Sequence, residues 1–117
     1  MSNQHYSNLA EDLVAKFAES KGWDILYRNF RRPGCEIDII MKKRKTLVVL
    51  EVKFRKQPID LTTLMPKKKF EALVRGLDRF LAFEDHEFDT VRIDLAVVTL
   101  FQGKLRLVYY LPDFVQE

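Results

Sequence analysis

Glu51-Val52-Lys53 stands inside Thr46–Phe54, a run whose remaining members are mainly apolar or β-branched. Residues of equal parity in a strand share a face, so Glu51 and Lys53 project together. A second run, Cys35–Met41, carries Glu36 and Asp38, and the charged tip Lys42-Lys43-Arg44-Lys45 separates the two. A two-residue turn at Arg44-Lys45, or a four-residue loop from Lys43 to Thr46, pairs positions whose numbers sum to 89. Asp38 then faces Glu51 and Glu36 faces Lys53, with opposite Cβ atoms roughly 4.5–5.5 Å apart. Three carboxylates and one ammonium would share one patch. The other face (Ile37, Ile39, Met41, Val48, Leu50, Val52 and Phe54) is continuous core, so a one-residue slip would bury the charges.

Carboxylates this close repel unless a proton or a cation sits between them. Hard oxygen ligands favour Mg²⁺ or Mn²⁺, which use one or two carboxylates and keep sites for water and phosphate oxygens. Such an ion supplies a hydroxide-like nucleophile and offsets charge developing on phosphorus. Lys53 is placed to orient the water or to stabilise the transition state. The plainer reading is a cross-strand salt-bridge ladder on an exposed sheet face. Glu-x-Lys alone favours that ladder; the facing Asp38 brings the two readings level.

These residues need a sheet, and the rest of the chain supplies one. Leu9, Leu13 and Phe17, with Ala10, Val14 and Ala18 beside them, repeat at helical spacing. Asn8 and Glu11 form a capping-box pattern, and Gly22 suits the helix end. Trp23–Phe30 reads as a strand and Arg31-Arg32-Pro33-Gly34 as a loop. Pro58 and Pro66 bracket a connection to a helix over Lys67–Phe83, where Phe70, Leu73, Val74, Leu77, Phe80 and Leu81 keep helical spacing. An acidic turn, Glu84–Asp89, leads to strands at Val91–Phe101 and Leu105–Leu111 joined at Gln102-Gly103. The fold class is α/β, a mixed central sheet flanked by helices in the order α-β-β-β-α-β-β. At 117 residues the expectation is one domain, 1–117.

Composition narrows the class further. Purely apolar runs such as Leu47–Leu50 fall far short of the roughly 20 residues of a membrane span. The first residues lack the basic and apolar regions of a secretory signal. The lone Cys35 can form neither an internal disulfide nor a CxxC zinc site, and it reads as core. A cytoplasmic, reducing setting with no membrane partner is expected. The net charge of +3 conceals an asymmetry: residues 28–79 carry +9 and the remainder −6. A basic middle between acidic ends suits a polyanion such as nucleic acid. Arg28, Arg31, Arg32, Arg55 and Lys56 flank the proposed patch. Lys67, Lys68, Lys69, Arg75 and Arg79 could grip phosphates from the second helix. Asp94 sits mid-strand, either a buried partner for Arg28 or Arg92 or a further acid. His5, expected in a mobile terminus, and His86, in the acidic turn, have no second histidine nearby.

Glu11 in an opening helix, Asp38 on a strand and Glu51-Val52-Lys53 on the next resemble the PD-(D/E)xK nuclease superfamily. The chain is more closely similar to the YraN-like family of uncharacterised bacterial proteins. The motifs are Ala10-Glu11, Gly22-Trp23, Arg28-Asn29-Phe30-Arg31, Cys35-Glu36-Ile37-Asp38-Ile39-Ile40 and Leu50-Glu51-Val52-Lys53-Phe54-Arg55. They run in order over about Asn8 to Leu100. Ala10 and Cys35 stand where the family has glycine, and Lys69-Phe70 where it has Lys-Gln.

The resemblance implies a restriction-endonuclease-like core, also similar to Holliday-junction resolvases. It implies Asp38, Glu51 and the Val52 carbonyl as metal ligands and Lys53 as the catalytic lysine. Glu11 would be a further ligand or base-orienting group, and Glu36 would hold or tune Lys53. The expected function is metal-dependent hydrolysis of phosphodiester bonds in nucleic acid, DNA in the first place, structure-specific or single-stranded. A junction substrate would imply a homodimer. The alternatives are a non-catalytic nucleic-acid-binding module and a protein-interaction domain on the same fold.

Overall fold

The first helix, α1 (Asn3–Ser20), starts well ahead of the expected Asn8 cap because Ser2 caps it. The Ser2 hydroxyl accepts the His5 N–H at 3.2 Å. The Asn8–Glu11 capping box is therefore not formed, and Asn8 is an interior residue whose amide oxygen accepts from Gln4. His5 belongs to the helix rather than to a mobile terminus. The fully buried line of α1 is Ala10, Val14 and Ala18, while Leu9 is 39% exposed. Small residues thus face the sheet and let the helix axis lie close to it. The structure is a computed structural model and describes residues 2–56, 60, 63–83 and 88–114. Pro58, His86 and most of the expected acidic turn fall outside the described residues.

Five strands form one sheet in spatial order β1 (Asp24–Arg32), β2 (Cys35–Lys43), β3 (Thr46–Arg55), β4 (Thr90–Phe101) and β5 (Lys104–Leu111). Neighbours are antiparallel except β3 and β4, which run parallel and are bridged by α2 (Lys67–Phe83). Arg31 and Arg32 extend β1 instead of forming a loop, and the turn is reduced to Pro33-Gly34. Gly34 takes φ 75°, a left-handed conformation that glycine adopts without a Cβ penalty.

Both sheet faces are covered, as expected of a mixed sheet flanked by helices. One core joins α2 to Ile37, Ile40, Leu47, Val49, Leu95 and Val97. The other joins α1 to Ile39, Met41, Val48, Leu50, Ala96 and Val98. Burial on both sides explains why β3 and β4 are near-continuous apolar runs. Ile37 and Ile39 therefore lie on opposite faces, although strict alternation would put them together. The break falls at Asp38. Asn29, which the β1–β2 register brings opposite it, has φ 55°. Both strands depart from regular pleating at that level.

Helix α2 matches its expected span and sits tight against β2 at Gly76. A Cβ built there would collide with Cys35 Sγ and lie 2.9 Å from Ile37 Cδ1. Cys35 is only 6% exposed, and burial raises its thiol pKa, so it packs as an apolar side chain. Gly76→Ala should gain about 1 kcal/mol of helix propensity yet lose about 1–3 kcal/mol to overpacking. The expected net result is a lower melting temperature, largely recovered in Cys35→Ala/Gly76→Ala. A single variant as stable as wild type would contradict the close approach.

Candidate active site

The β2–β3 ladder follows the expected register, with Lys43 opposite Thr46 and Ile39 opposite Leu50. It stops there. Beyond that level β2 pairs only with β1, while β3 continues to Arg55 alongside β4. Asp38 and Glu51 stand where the two strands part. Asp38 does not face Glu51 as a ladder pair; its Oδ2 accepts the Val52 N–H at 2.8 Å. N–H and C=O of one residue in an extended strand point to the same side, so the Val52 carbonyl also faces this gap.

Glu51 is 3% exposed, on the α2 face, and close enough to Asp38 to share a hydrogen bond with it. Its pKa is pushed up to about 8, first by burial, then by the Asp38 hydrogen bond and charge. The positive charges of Lys53 and Lys69 oppose that rise. Lys69 Nζ, from the first turn of α2, lies 3.1 Å from Glu51 Oε2. That contact lacks hydrogen-bond geometry, so the buried oxygen gains charge compensation while its lone pair stays unsatisfied. Lys53 is half-buried beside it.

Glu11 approaches Asp38 from α1. Its pKa is raised to about 7, chiefly by burial and then by Asp38, with Arg28 opposing. Glu11 Oε1 is likewise buried without a hydrogen-bond partner. Asp38 thus lies between Glu11 on the α1 side and Glu51 on the α2 side.

The expected convergence of three carboxylates with Lys53 is corrected at Glu36. Its side chain pairs with Arg31 at 3.1 Å and is half exposed, because β2 has no β3 neighbour at that level. Glu36 neither faces nor holds Lys53. Among the described residues no group of three His, Cys, Asp or Glu side chains is gathered closely enough to hold a cation. What remains is a pair, Asp38 and Glu51, with the Val52 carbonyl. Hard oxygens with an unsatisfied buried lone pair fit Mg²⁺ or Mn²⁺, which needs one or two carboxylates.

The flanking cations fall into three depressions. Arg28 pairs with Asp12 at 2.8 Å in one that also includes Asn8, Glu11 and Asn29. Arg31, Arg32 and Lys69 border a second with Glu36. Arg55 and Lys56 border a third with Asn3 and Ser7. Arg32 lies 4.3 Å from the Phe30 ring centroid, and Lys56 lies over Tyr6. Lys67, Lys68 and Arg75 are exposed on α2, whereas Arg79 donates to the Pro33 carbonyl and braces the β1–β2 turn. A groove of about 600 Å³ between α1 and the β4–β5 turn shares only Asp12 with these depressions.

Asp94 resolves as structural. It is fully buried on the face opposite Glu51, with Arg92 donating to both its oxygens at 3.0 and 3.2 Å. Tyr110 Oη and the Asp113 N–H complete its shell. Tyr110 and Asp113 as partners carried no signal in the sequence, since they come from beyond the final turn. Lys69 on Glu51 was equally hidden, because its spacing placed it only on an exposed helix start.

The fold and site define an α/β domain with an acidic pair at a parting of two strands. The chain belongs to the uncharacterised protein family UPF0102, whose profile matches residues 10–98. It is similar to a UPF0102 protein of Fervidobacterium nodosum, 30% identical over 107 residues, covering 89% of this chain and 79% of that one. A UPF0102 protein of Nitrobacter winogradskyi is 32% identical over 95 residues, 80% of each. One from Campylobacter jejuni strain 81-176 is 37% identical over 70 residues, 60% of this chain. The match spans 62% of that relative's length. No helix among the described residues is long and apolar enough to cross a membrane.

Two outcomes follow from the buried acids. In metal-free solution the folded chain retains protons on Glu11 and Glu51 that unfolded carboxylates, near 4.5, release. The native state therefore binds more protons, and stability should fall as pH rises from about 5 to about 8. Melting in chelator should show this slope, with Glu51→Gln flattening it and exceeding wild type at pH 8. An unchanged slope in the variant would remove Glu51 as its source. Asp94→Ala, which leaves Arg92 unpaired, should cost about 3–5 kcal/mol in denaturant unfolding. Metal affinity of the folded fraction should not change; a selective loss of metal binding would return Asp94 to the site.

Proposed function

We propose that this chain is a divalent-metal-dependent nuclease of the PD-(D/E)xK type, a single domain built on a restriction-endonuclease-like core. The carrying observation is the Asp38–Glu51 pair, with Glu51 buried, one of its oxygens unsatisfied, and Lys53 alongside. Asp38, Glu51 and the Val52 carbonyl would hold Mg²⁺ or Mn²⁺. Bound there, the ion supplies a Lewis acid and a water of lowered pKa. Lys53 directs its ammonium toward the scissile phosphate and offsets charge developing on it. Glu11, with a pKa near neutrality, is suited to take a proton from the attacking water or to orient it. Arg31 and Arg32 on one side and Arg55 and Lys56 on the other give the phosphodiester chain contacts on both flanks of the acids.

The substrate class proposed is DNA, single-stranded or branched, in a cytoplasmic setting. The cations are spread over separate shallow depressions, which suits backbone contact more than base readout. Two copies of the chain would present two sites to a four-way junction. The engagement of Lys69 with Glu51 gives weight to one second reading, a nucleic-acid-binding module that cleaves nothing.

Labelled single-stranded DNA, duplex, flap, four-way junction and RNA distinguish the two. Each is incubated with Mg²⁺, Mn²⁺ or chelator, using wild type, Lys53→Ala and Glu51→Gln. The nuclease reading expects metal-dependent products that fall by about 10²-fold or more in either variant. Tight, salt-dependent binding without products in any metal would transfer the assignment to the binding module.

A further inference from the structure

Lys69 does something its position in a basic helix start did not foretell. Its Nζ sits 3.1 Å from the buried Glu51 Oε2 and donates to the Glu36 backbone carbonyl at 3.2 Å. The Glu51 side chain is 4% exposed and that of Lys69 28%, so a solvent-edge cation reaches inward to a buried carboxylate. The oxygen it approaches is the one left without a hydrogen bond. A divalent ion on that carboxylate would lie close to the same oxygen, and two cations in such proximity repel.

We propose that Lys69 holds Glu51 as an internal cation until a divalent ion displaces it, and then turns to Arg31 and Arg32 to grip a phosphate. This rests on the metal-site reading above and names the residue that links metal loading to substrate binding. The geometry for the turn is present. Lys69 springs from the first turn of α2 on a flexible four-carbon stem. It already borders the depression that carries Arg31 and Arg32. Glu36 pairs with Arg31 at the same rim, so Arg31 and Arg32 leave that depression at +1, and the Lys69 ammonium turned into it raises it to +2. Metal and polyanion then favour each other's binding, and the coupling is reciprocal.

The test titrates Mn²⁺ alone into the full chain by calorimetry, for wild type, Lys69→Met and Lys69→Gln. Displacement predicts that both variants bind Mn²⁺ about tenfold more tightly than wild type. If Lys69 only supports the charge of Glu51, its removal leaves the carboxylate protonated and Mn²⁺ binds no better or worse. That result overturns the proposal, and either variant suffices should the other not fold. A second arm measures the salt dependence of binding to a single-stranded phosphorothioate oligonucleotide. With Mn²⁺ the wild-type slope should exceed that of Lys69→Met by about 1, and without metal the slopes should coincide. Equal slopes in both conditions overturn the phosphate-gripping half. A chain that takes up no Mn²⁺ in any form removes the metal site itself, and this exchange with it.

Discussion

The hydrogen bond from the Val52 N–H to Asp38 is the contact on which the site depends. Where β2 leaves β3, the backbone of β3 loses its partner on that side. An unsatisfied N–H in such a place costs about 1–3 kcal/mol. A carboxylate is a strong acceptor for it, and meeting that need fixes Asp38 between the strands rather than on either face. Asp38 is then held against Glu51, and Glu11 reaches it from the other layer. The electrostatic tension follows from a backbone requirement.

Two buried acids show how differently the fold treats negative charge. Asp94 is fully buried, but both of its oxygens are engaged, by Arg92, by Tyr110 and by the Asp113 backbone. Nothing further is called for there. Glu51 is almost as buried, and its compensation is partial and mobile in kind: a lysine at ion-pair distance and a neighbouring acid. A buried polar atom left short of partners is rare in folded proteins. The contrast separates an acid that holds β4, β5 and the following turn together from one whose charge is only partly met.

Cations around the acids are mostly restrained by local partners. Arg28 has Asp12, Arg31 has Glu36, Arg32 and Arg55 donate to backbone carbonyls. These exposed pairs are individually weak and screened by salt, so a polyphosphate can compete for them. The excess of positive charge in residues 28–79 thus becomes a surface flanking the acids.

By itself the sequence determined the element order, the span of α2 and the β2–β3 register from Ile39 to Lys43. It did so because periodicity and turn residues act locally, and a charged tip leaves few ways to pair two apolar runs. It also placed Asp38, Glu51 and Lys53 near one another, since strand parity carries that information. Tertiary structure alone decided where the ladder ends. That required β1 to draw β2 away at Asn29 and Asp38, which sent Ile37 to the α2 face and Glu36 to Arg31. It decided which strand residues meet which helix, and that Gly76 makes room for Cys35. It brought Lys69 onto Glu51 for the same reason: long-range packing, not spacing, chooses which charge reaches a buried oxygen.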